Sequence, residues 1–183
     1  FGAWSGVVAR EKDGWMYGIR LDTFIMILVH TPRQVDCNMD NPGTGPIDDL
    51  PNSRLGTQDY WEQVYQQEVQ NLNDHGEEGE IWFGLAAERR VVEWIVKNCV
   101  QKSTVLVDVG CGNGHFCLSL AKKGFECIYG MDYSASAVQL ATALAQKEDV
   151  SSVRYTSGDL LNPSTISALE ADVIIDKGTF DAI

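Results

Sequence analysis

The sequence is poor in the residues from which metal sites and disulfide frameworks are built. Its 183 residues include three histidines, which are scattered along the chain, and an odd number of cysteines with no CxxC pair. Zinc sites and disulfide frameworks need paired or clustered ligands, so we expect reduced thiols, no metal, and a cytoplasmic or nuclear protein. The five cysteines are Cys37, Cys99, Cys111, Cys117 and Cys127.

Long apolar runs and basic residues are also scarce. The longest apolar run, residues 24–29, is far shorter than the roughly 20 residues of a membrane span, and no basic segment precedes it as in a signal peptide. Lys and Arg total 14 against 26 Asp and Glu, giving a net charge of -12. Such a surface repels nucleic acids and anionic membranes, and it favours a basic protein partner. The 44% hydrophobic content suits one globular domain.

The first third of the chain differs from the rest. Residues 1–29 show no sustained period, although 21–30 could form one short strand, and residues 31–54 hold four of the five prolines. We therefore expect residues 1–52 to be an N-terminal extension with a flexible linker, and residues 53–183 to be the main domain.

Helical periodicity follows the linker, and strands then alternate with helices. Asp59 and Glu62 are spaced as a capping box for a helix over 59–72, and a second helix is predicted over 86–99 with Glu88 on its polar face. Further helices are predicted after Gly114 and after Ser134 or Ser136. The alternation predicts an α/β fold with a parallel sheet. Its four predicted strands are 104–109, 127–131, 153–157 and 172–175.

The first of these strands runs into the glycine-rich turn G-C-G-N-G at 110–114 and then into a helix. Glycines let the backbone approach a ligand closely, so this arrangement predicts a nucleoside-cofactor site. A dinucleotide fingerprint would need glycine at position 115, where the chain has His115. The spacing therefore argues against NAD and FAD.

The other strand ends carry further candidates. Asp132 follows the second strand, 22 residues after Gly110, where a carboxylate can accept hydrogen bonds from ribose hydroxyls. Asp159 and Leu160 follow the third strand, and residues 176–182 follow the fourth. Because the carboxyl ends of parallel strands share one rim, we expect these groups to converge on one crevice.

These motifs resemble known families. The glycine turn behind Asp108 resembles motif I of class I S-adenosylmethionine-dependent methyltransferases. Five segments together resemble the lysine methyltransferases of translation elongation factor 1-alpha, over about residues 53–183. The segments are GTQDYW (56–61), GEEGEIWFG (76–84), VDVGCGNG (107–114), GMDYSASAVQL (130–140) and DKGTFDAI (176–183).

The resemblance implies a Rossmann-like fold, S-adenosylmethionine as cofactor and methyl transfer to a lysine of elongation factor 1-alpha. From their place at the end of the fourth strand, we expect Asp176 to orient the substrate amine and Phe180 to wall its channel, and this chemistry needs no metal. The cofactor contacts that the resemblance implies are Trp61, Trp82, Phe83, Asp108, Gly110, Cys111, Gly112, Gly114, Asp132, Tyr133, Asp159 and Leu160.

The chain also departs from that family pattern. Such enzymes close a seven-stranded sheet, whereas four strands are predicted here. We therefore expect an incomplete, C-terminally truncated sheet, an apolar last strand at an exposed edge, and a poorly stable, weakly active polypeptide.

Three alternatives remain open at this stage. The chain could be a class I methyltransferase with a small-molecule or other protein substrate. It could also be a non-catalytic module whose acidic surface binds a basic partner. A nicotinamide dehydrogenase is the least favoured, because of the glycine spacing.

Overall fold

The computed structural model describes three N-terminal strands by their backbone and most of the chain from residue 54 onward in full. The described ranges are 7–11, 14–22, 25–29, 54–99, 101–162, 164–165 and 170–180. Within these ranges, no helix is both long enough and apolar enough to cross a membrane. The predicted linker and the boundary near residue 52 lie outside them, so that division of the chain stays a prediction.

Within the described ranges, the strands form one seven-stranded sheet in the order β1-β2-β3-β7-β4-β5-β6. The strands β4 to β7 are parallel to one another, which confirms the α/β class and all four predicted strands. The strands are β1 (Val7–Glu11), β2 (Gly14–Asp22), β3 (Ile25–Val29), β4 (Val105–Val109), β5 (Cys127–Asp132), β6 (Val153–Ser157) and β7 (Val173–Lys177).

The N-terminal segment contributes more to the sheet than its sequence indicated. One short strand was predicted there, but β1, β2 and β3 form an antiparallel meander, and β3 pairs antiparallel with β7 from Ile25 opposite Lys177 to Val29 opposite Val173. The prediction that the last strand is an exposed edge is therefore wrong. The N-terminal sequence mixes Gly, Trp and apolar residues without a clean alternation, so its pattern did not predict a sheet. Such a segment can still form strands when the edge of a neighbouring strand, here β7, is available for pairing.

Among the described residues, the α-helices with defined bounds are α1 (Gln58–His75), α2 (Gly84–Asn98), α3 (His115–Ala121) and α4 (Ala135–Lys147). One core packs α2 and α3 against the strands, with Ile95, Phe116 and Ile175 almost fully buried. A second core joins α1 to α4 through residues such as Tyr65 and Leu140.

Two local predictions about the helices are wrong. Helix α1 begins after Thr57 without a side-chain cap, and Glu62, the expected capping-box partner, instead accepts hydrogen bonds from Ser134 and Ser136. Glu88 was placed on a solvated face of α2 but is only 3% exposed, because α3 covers it. Of the two serines predicted as the cap of α4, Ser134 and Ser136, the first takes that position, since its hydroxyl accepts a hydrogen bond from an α4 backbone N–H.

Candidate functional site

The carboxyl ends of the four parallel strands surround a cavity of about 130 Å³. It is closed above by residues from α1 and from the segment before α2. Convergence of the strand ends, as the sequence predicted, brings most of the candidate cofactor contacts together. Those that line the cavity are Trp61, Trp82, Phe83, Gly110, Cys111, Gly112, Asp132, Tyr133, Asp159 and Leu160.

Asp132 is fixed at the end of β5 by the turn it faces. Its Oδ2 accepts a hydrogen bond from the Gly112 N–H and its Oδ1 from the Ser134 N–H, each at 3.0 Å. Burial raises the pKa of Asp132, and these backbone hydrogen bonds offset part of the rise. Each carboxylate oxygen has a second lone pair for a ligand, so Asp132 can accept hydrogen bonds at the cavity wall.

The glycine turn is packed so tightly that a side chain at Gly112 would collide with its neighbour. Gly112 has φ +54°, and a Cβ there would meet the hydroxyl oxygen of Tyr65. The turn's N–H groups are largely used within the protein: those of Gly110 and Cys111 donate to the Met131 carbonyl, at 2.7 and 3.0 Å. The Gly112 N–H donates to Asp132, so the turn offers few donors to a phosphate.

Aromatic side chains form the roof of the cavity. The Trp61 and Trp82 rings meet edge to face with centroids 4.9 Å apart, and Trp61 Nε1 donates to the Leu55 carbonyl at 2.6 Å. Phe83 stands against Gly178 and is 41% exposed. A flat apolar ligand can therefore lie between this roof and the strand ends.

Two other candidates lie behind the cavity wall. Asp108 is 2% exposed, and its Oδ2 accepts a weak hydrogen bond from Cys117 Sγ at 3.7 Å. Burial raises its pKa to about 7, although the nearby Lys177 charge counteracts part of that rise. Gly114 is not among the residues that line the cavity, and its carbonyl accepts a 2.9 Å hydrogen bond from the Tyr155 hydroxyl. Asp108 and Gly114 therefore do not line the cavity, and their contacts with a cofactor remain predictions.

The two substrate-side candidates follow β7. Asp176 is 6% exposed, and its Oδ1 accepts backbone hydrogen bonds from Thr179 at 2.7 Å and Phe180 at 3.4 Å. The carboxylate thus closes the turn that leads out of β7. Phe180 is 49% exposed and stands next to Thr179, which lines the cavity. Neither Asp176 nor Phe180 lines the cavity itself.

Sequence reasoning missed several residues of the wall. Asn113 is 7% exposed, and its Nδ2 donates to the carbonyls of Glu78 and Glu80, which holds the segment before α2 over the cavity. Tyr65, Glu88 and Lys177 also line the cavity. Asn113 lies inside the glycine turn, and Lys177 lies inside the candidate segment 176–182, although neither was given a role of its own. Tyr65 and Glu88 carry no local signal, since helical spacing explains both.

The comparisons with known proteins agree with this architecture. Residues 100–183 match a family described as "Methyltransferase domain". The chain is 40% identical to EEF1A lysine methyltransferase 2 of Mus musculus over 142 residues, which are 77% of this chain and 57% of that protein. It is 36% identical to protein-lysine N-methyltransferase efm4 of Schizosaccharomyces pombe, over 73% of this chain and 63% of that protein. The chain thus spans a little over half the length of these relatives.

A solved structure overlaps a smaller part of the chain. Magnesium protoporphyrin IX methyltransferase from Synechocystis PCC 6803, with SAH bound, covers 56% of this chain and 50% of its own, with 22% identity and a TM-score of 0.44.

Proposed function

We propose that the chain acts as an S-adenosylmethionine-dependent protein-lysine N-methyltransferase on elongation factor 1-alpha, because residues 100–183 match a methyltransferase domain and the chain resembles EEF1A lysine methyltransferases. The observation that carries the proposal is the cavity at the carboxyl ends of four parallel strands. It combines a glycine turn, a buried carboxylate and an aromatic roof.

The residues of the cavity suit a nucleoside that carries no phosphate. Four of the five N–H groups of the 110–114 turn, those of Gly110, Cys111, Gly112 and Gly114, already donate to acceptors within the protein. A pyrophosphate would need such donors free, whereas an adenosine with an amino-acid side arm does not. This supports S-adenosylmethionine over a dinucleotide.

The chain's own residues would divide the binding of this cofactor. Asp132 would accept hydrogen bonds from the ribose hydroxyls, and Asp159 and Leu160 would bind the adenine. Trp61 and Trp82 would cover it and exclude water. When bound, S-adenosylmethionine supplies an electrophilic methyl group on a sulfonium ion.

Phe180 and the β7 turn would form the substrate side. A free lysine has a pKa of about 10.4, so the acceptor must lose its proton before it can attack. Apolar walls favour the neutral amine by desolvation, and Phe83 and Phe180 provide exposed aromatic surface beside the cavity. We propose that Asp176 positions Phe180 through the hydrogen bond from the Phe180 N–H. We also retain the role expected from the sequence, in which Asp176 orients the substrate amine.

The partner and compartment follow from the same proposal. An acidic chain of net charge -12 is suited to a basic protein surface such as a lysine-bearing substrate. The four cysteines in the described residues are free thiols, as suits the cytoplasm or nucleus.

Calorimetric titration with S-adenosylmethionine, with NAD as the negative control, tests the cofactor. We expect saturable binding by S-adenosylmethionine alone, which Asp132→Ala abolishes. A second assay tests the substrate. Purified elongation factor 1-alpha and a mixture of small metabolites are offered as alternative methyl acceptors, and mass spectrometry shows which of them gains a methyl group. Cofactor binding with no transfer, together with a stable complex with a basic protein, would instead support a non-catalytic module.

A further inference from the structure

The charges that line the cavity are unevenly divided. Among the described residues of its wall, the acidic ones outnumber the single basic one, Lys177. A cavity of this kind favours a ligand that is cationic overall and has one anionic group for the lysine. The acidic residues are Glu80, Glu88, Asp132 and Asp159.

Lys177 has donors to spare at the cavity wall. It is the last residue of β7, and its Nζ donates to the Trp82 carbonyl at 3.4 Å. An ammonium group has three N–H donors, and this long bond uses one of them. Lys177 can therefore bind an anionic group that enters the cavity.

Glu88 presents the opposite charge and has an unpartnered oxygen. Its Oε1 is paired with His115 Nδ1 at 2.9 Å and accepts a hydrogen bond from the Ser119 hydroxyl at 2.8 Å. Its Oε2 is buried and has no hydrogen-bond partner. Glu88 is 3% exposed, so bulk solvent has little access to this oxygen. A ligand in the cavity would supply the missing donor.

These two charges are close to each other but not in contact. Burial raises the pKa of Glu88, and the hydrogen bonds with His115 and Ser119 lower it. The nearby positive charge of Lys177 lowers it further, by a smaller amount. The ion pairs found in the described part of the chain do not include Glu88 with Lys177. A group that carries both signs can therefore bridge them.

On the basis of the proposed function, we propose that Glu88 and Lys177 bind the zwitterionic amino-acid end of the cofactor. Glu88 Oε2 accepts a hydrogen bond from its ammonium group, and Lys177 donates to its carboxylate. The pair then selects adenosyl ligands that have this end over those that lack it.

Calorimetry with S-adenosylhomocysteine and 5′-methylthioadenosine tests this assignment, because both are thioethers and only the first has the amino-acid end. We expect Glu88→Gln and Lys177→Met each to weaken S-adenosylhomocysteine binding about tenfold to a hundredfold and to leave 5′-methylthioadenosine binding unchanged. Glu93→Gln and Lys123→Met, which change exposed residues, should alter neither.

Equal weakening of both ligands, or of neither, would overturn the assignment while leaving the proposed function intact. Failure of the unaltered chain to bind any adenosyl ligand would overturn both. The unaltered chain also supplies a test that needs no variant. It should bind decarboxylated S-adenosylmethionine less tightly than S-adenosylmethionine, and equal affinities would contradict the role of Lys177.

Discussion

The Glu62 carboxylate accepts a 2.6 Å hydrogen bond from the Ser136 hydroxyl, which ties the beginning of α1 to the first turn of α4. Its other oxygen accepts a 2.7 Å hydrogen bond from the Ser134 hydroxyl. Since Trp61 and Tyr65 lie on the same helix, this contact also holds part of the cavity wall in place.

Glu62 should make the stability of the protein sensitive to acid. Hydrogen bonds from Ser136 and Ser134 lower its pKa from 4.5 to about 2. A lowered pKa stabilises the folded state above pH 4.5, and this stabilisation is lost as the pH falls towards 2. Urea unfolding between pH 3 and 6 should therefore show a shallower acid decline for Glu62→Gln than for the unaltered chain. Glu93→Gln, the matched control, should show the same acid decline as the unaltered chain. If Glu62→Gln also shows that same decline, the prediction is refuted.

Asp108 should make the stability of the protein fall as the pH rises, which is the opposite of the effect of Glu62. Burial raises its pKa from 3.8 to about 7, so its effect on stability is most favourable below pH 3.8 and is lost as the pH rises through 7. The loss is on the order of a few kcal/mol. Thermal melting between pH 5 and 8 should decline less for Asp108→Asn than for the unaltered chain. The exposed Asp74→Asn should leave the slope unchanged, and parallel slopes for all three proteins would contradict the prediction.

Replacing Gly112 should damage the cavity more than its backbone strain alone explains. Gly112 and Gly124 both have positive φ, but a Cβ at Gly112 would meet the Tyr65 hydroxyl, whereas nothing lies within 4 Å of one at Gly124. Gly124→Ala should cost about 1 kcal/mol in the free energy of unfolding. Gly112→Ala should cost more and should also weaken cofactor binding in calorimetry.

A second substitution can show that the collision is the cause. Tyr65→Phe removes the oxygen that a Cβ at position 112 would meet. The Gly112→Ala/Tyr65→Phe variant should therefore recover part of the lost stability. If the two changes are simply additive, the contact between these positions is not responsible.

The N-terminal strands should protect the chain from self-association. They cover β7 by pairing β3 with it over five residues. A chain that begins at residue 53 would leave the unpaired N–H and C=O groups of β7 exposed. We expect it to melt at a lower temperature and to form oligomers in light scattering, and a monomer with an unchanged melting temperature would rule out this role.

The parallel part of the fold was predictable because its information is local. Each of the strands β4 to β7 is a short apolar run, and the glycine turn after β4 is recognisable from its spacing alone. Ser134 was predictable as a cap for the same reason, since the residue and the N–H it accepts from are three positions apart.

The missed features depend on residues that are far apart in sequence. Glu62 meets Ser136 across 74 positions, and Glu88 meets His115 across 27, so neither partner is visible from a local pattern. The amphipathic period of α2 predicted that Glu88 is exposed to solvent. That period describes α2 alone and carries no information about α3, which packs on α2. Strands β1 and β2 were missed, and the position of the predicted strand 21–30 beside β7 was not foreseen, because these pairings join segments that show no clean alternation of their own.

The register of β3 against β7 links the beginning of the chain to the ligand cavity. Ile25 pairs with Lys177, and Met26 pairs with Asp176, directly before the turn that follows β7. A ligand that fixes Lys177 would restrict local opening of the β3–β7 ladder. Amide hydrogen exchange in residues 25–29 should then slow when the cavity is filled, so that the N-terminal meander reports on binding at a site that its own sequence does not reveal.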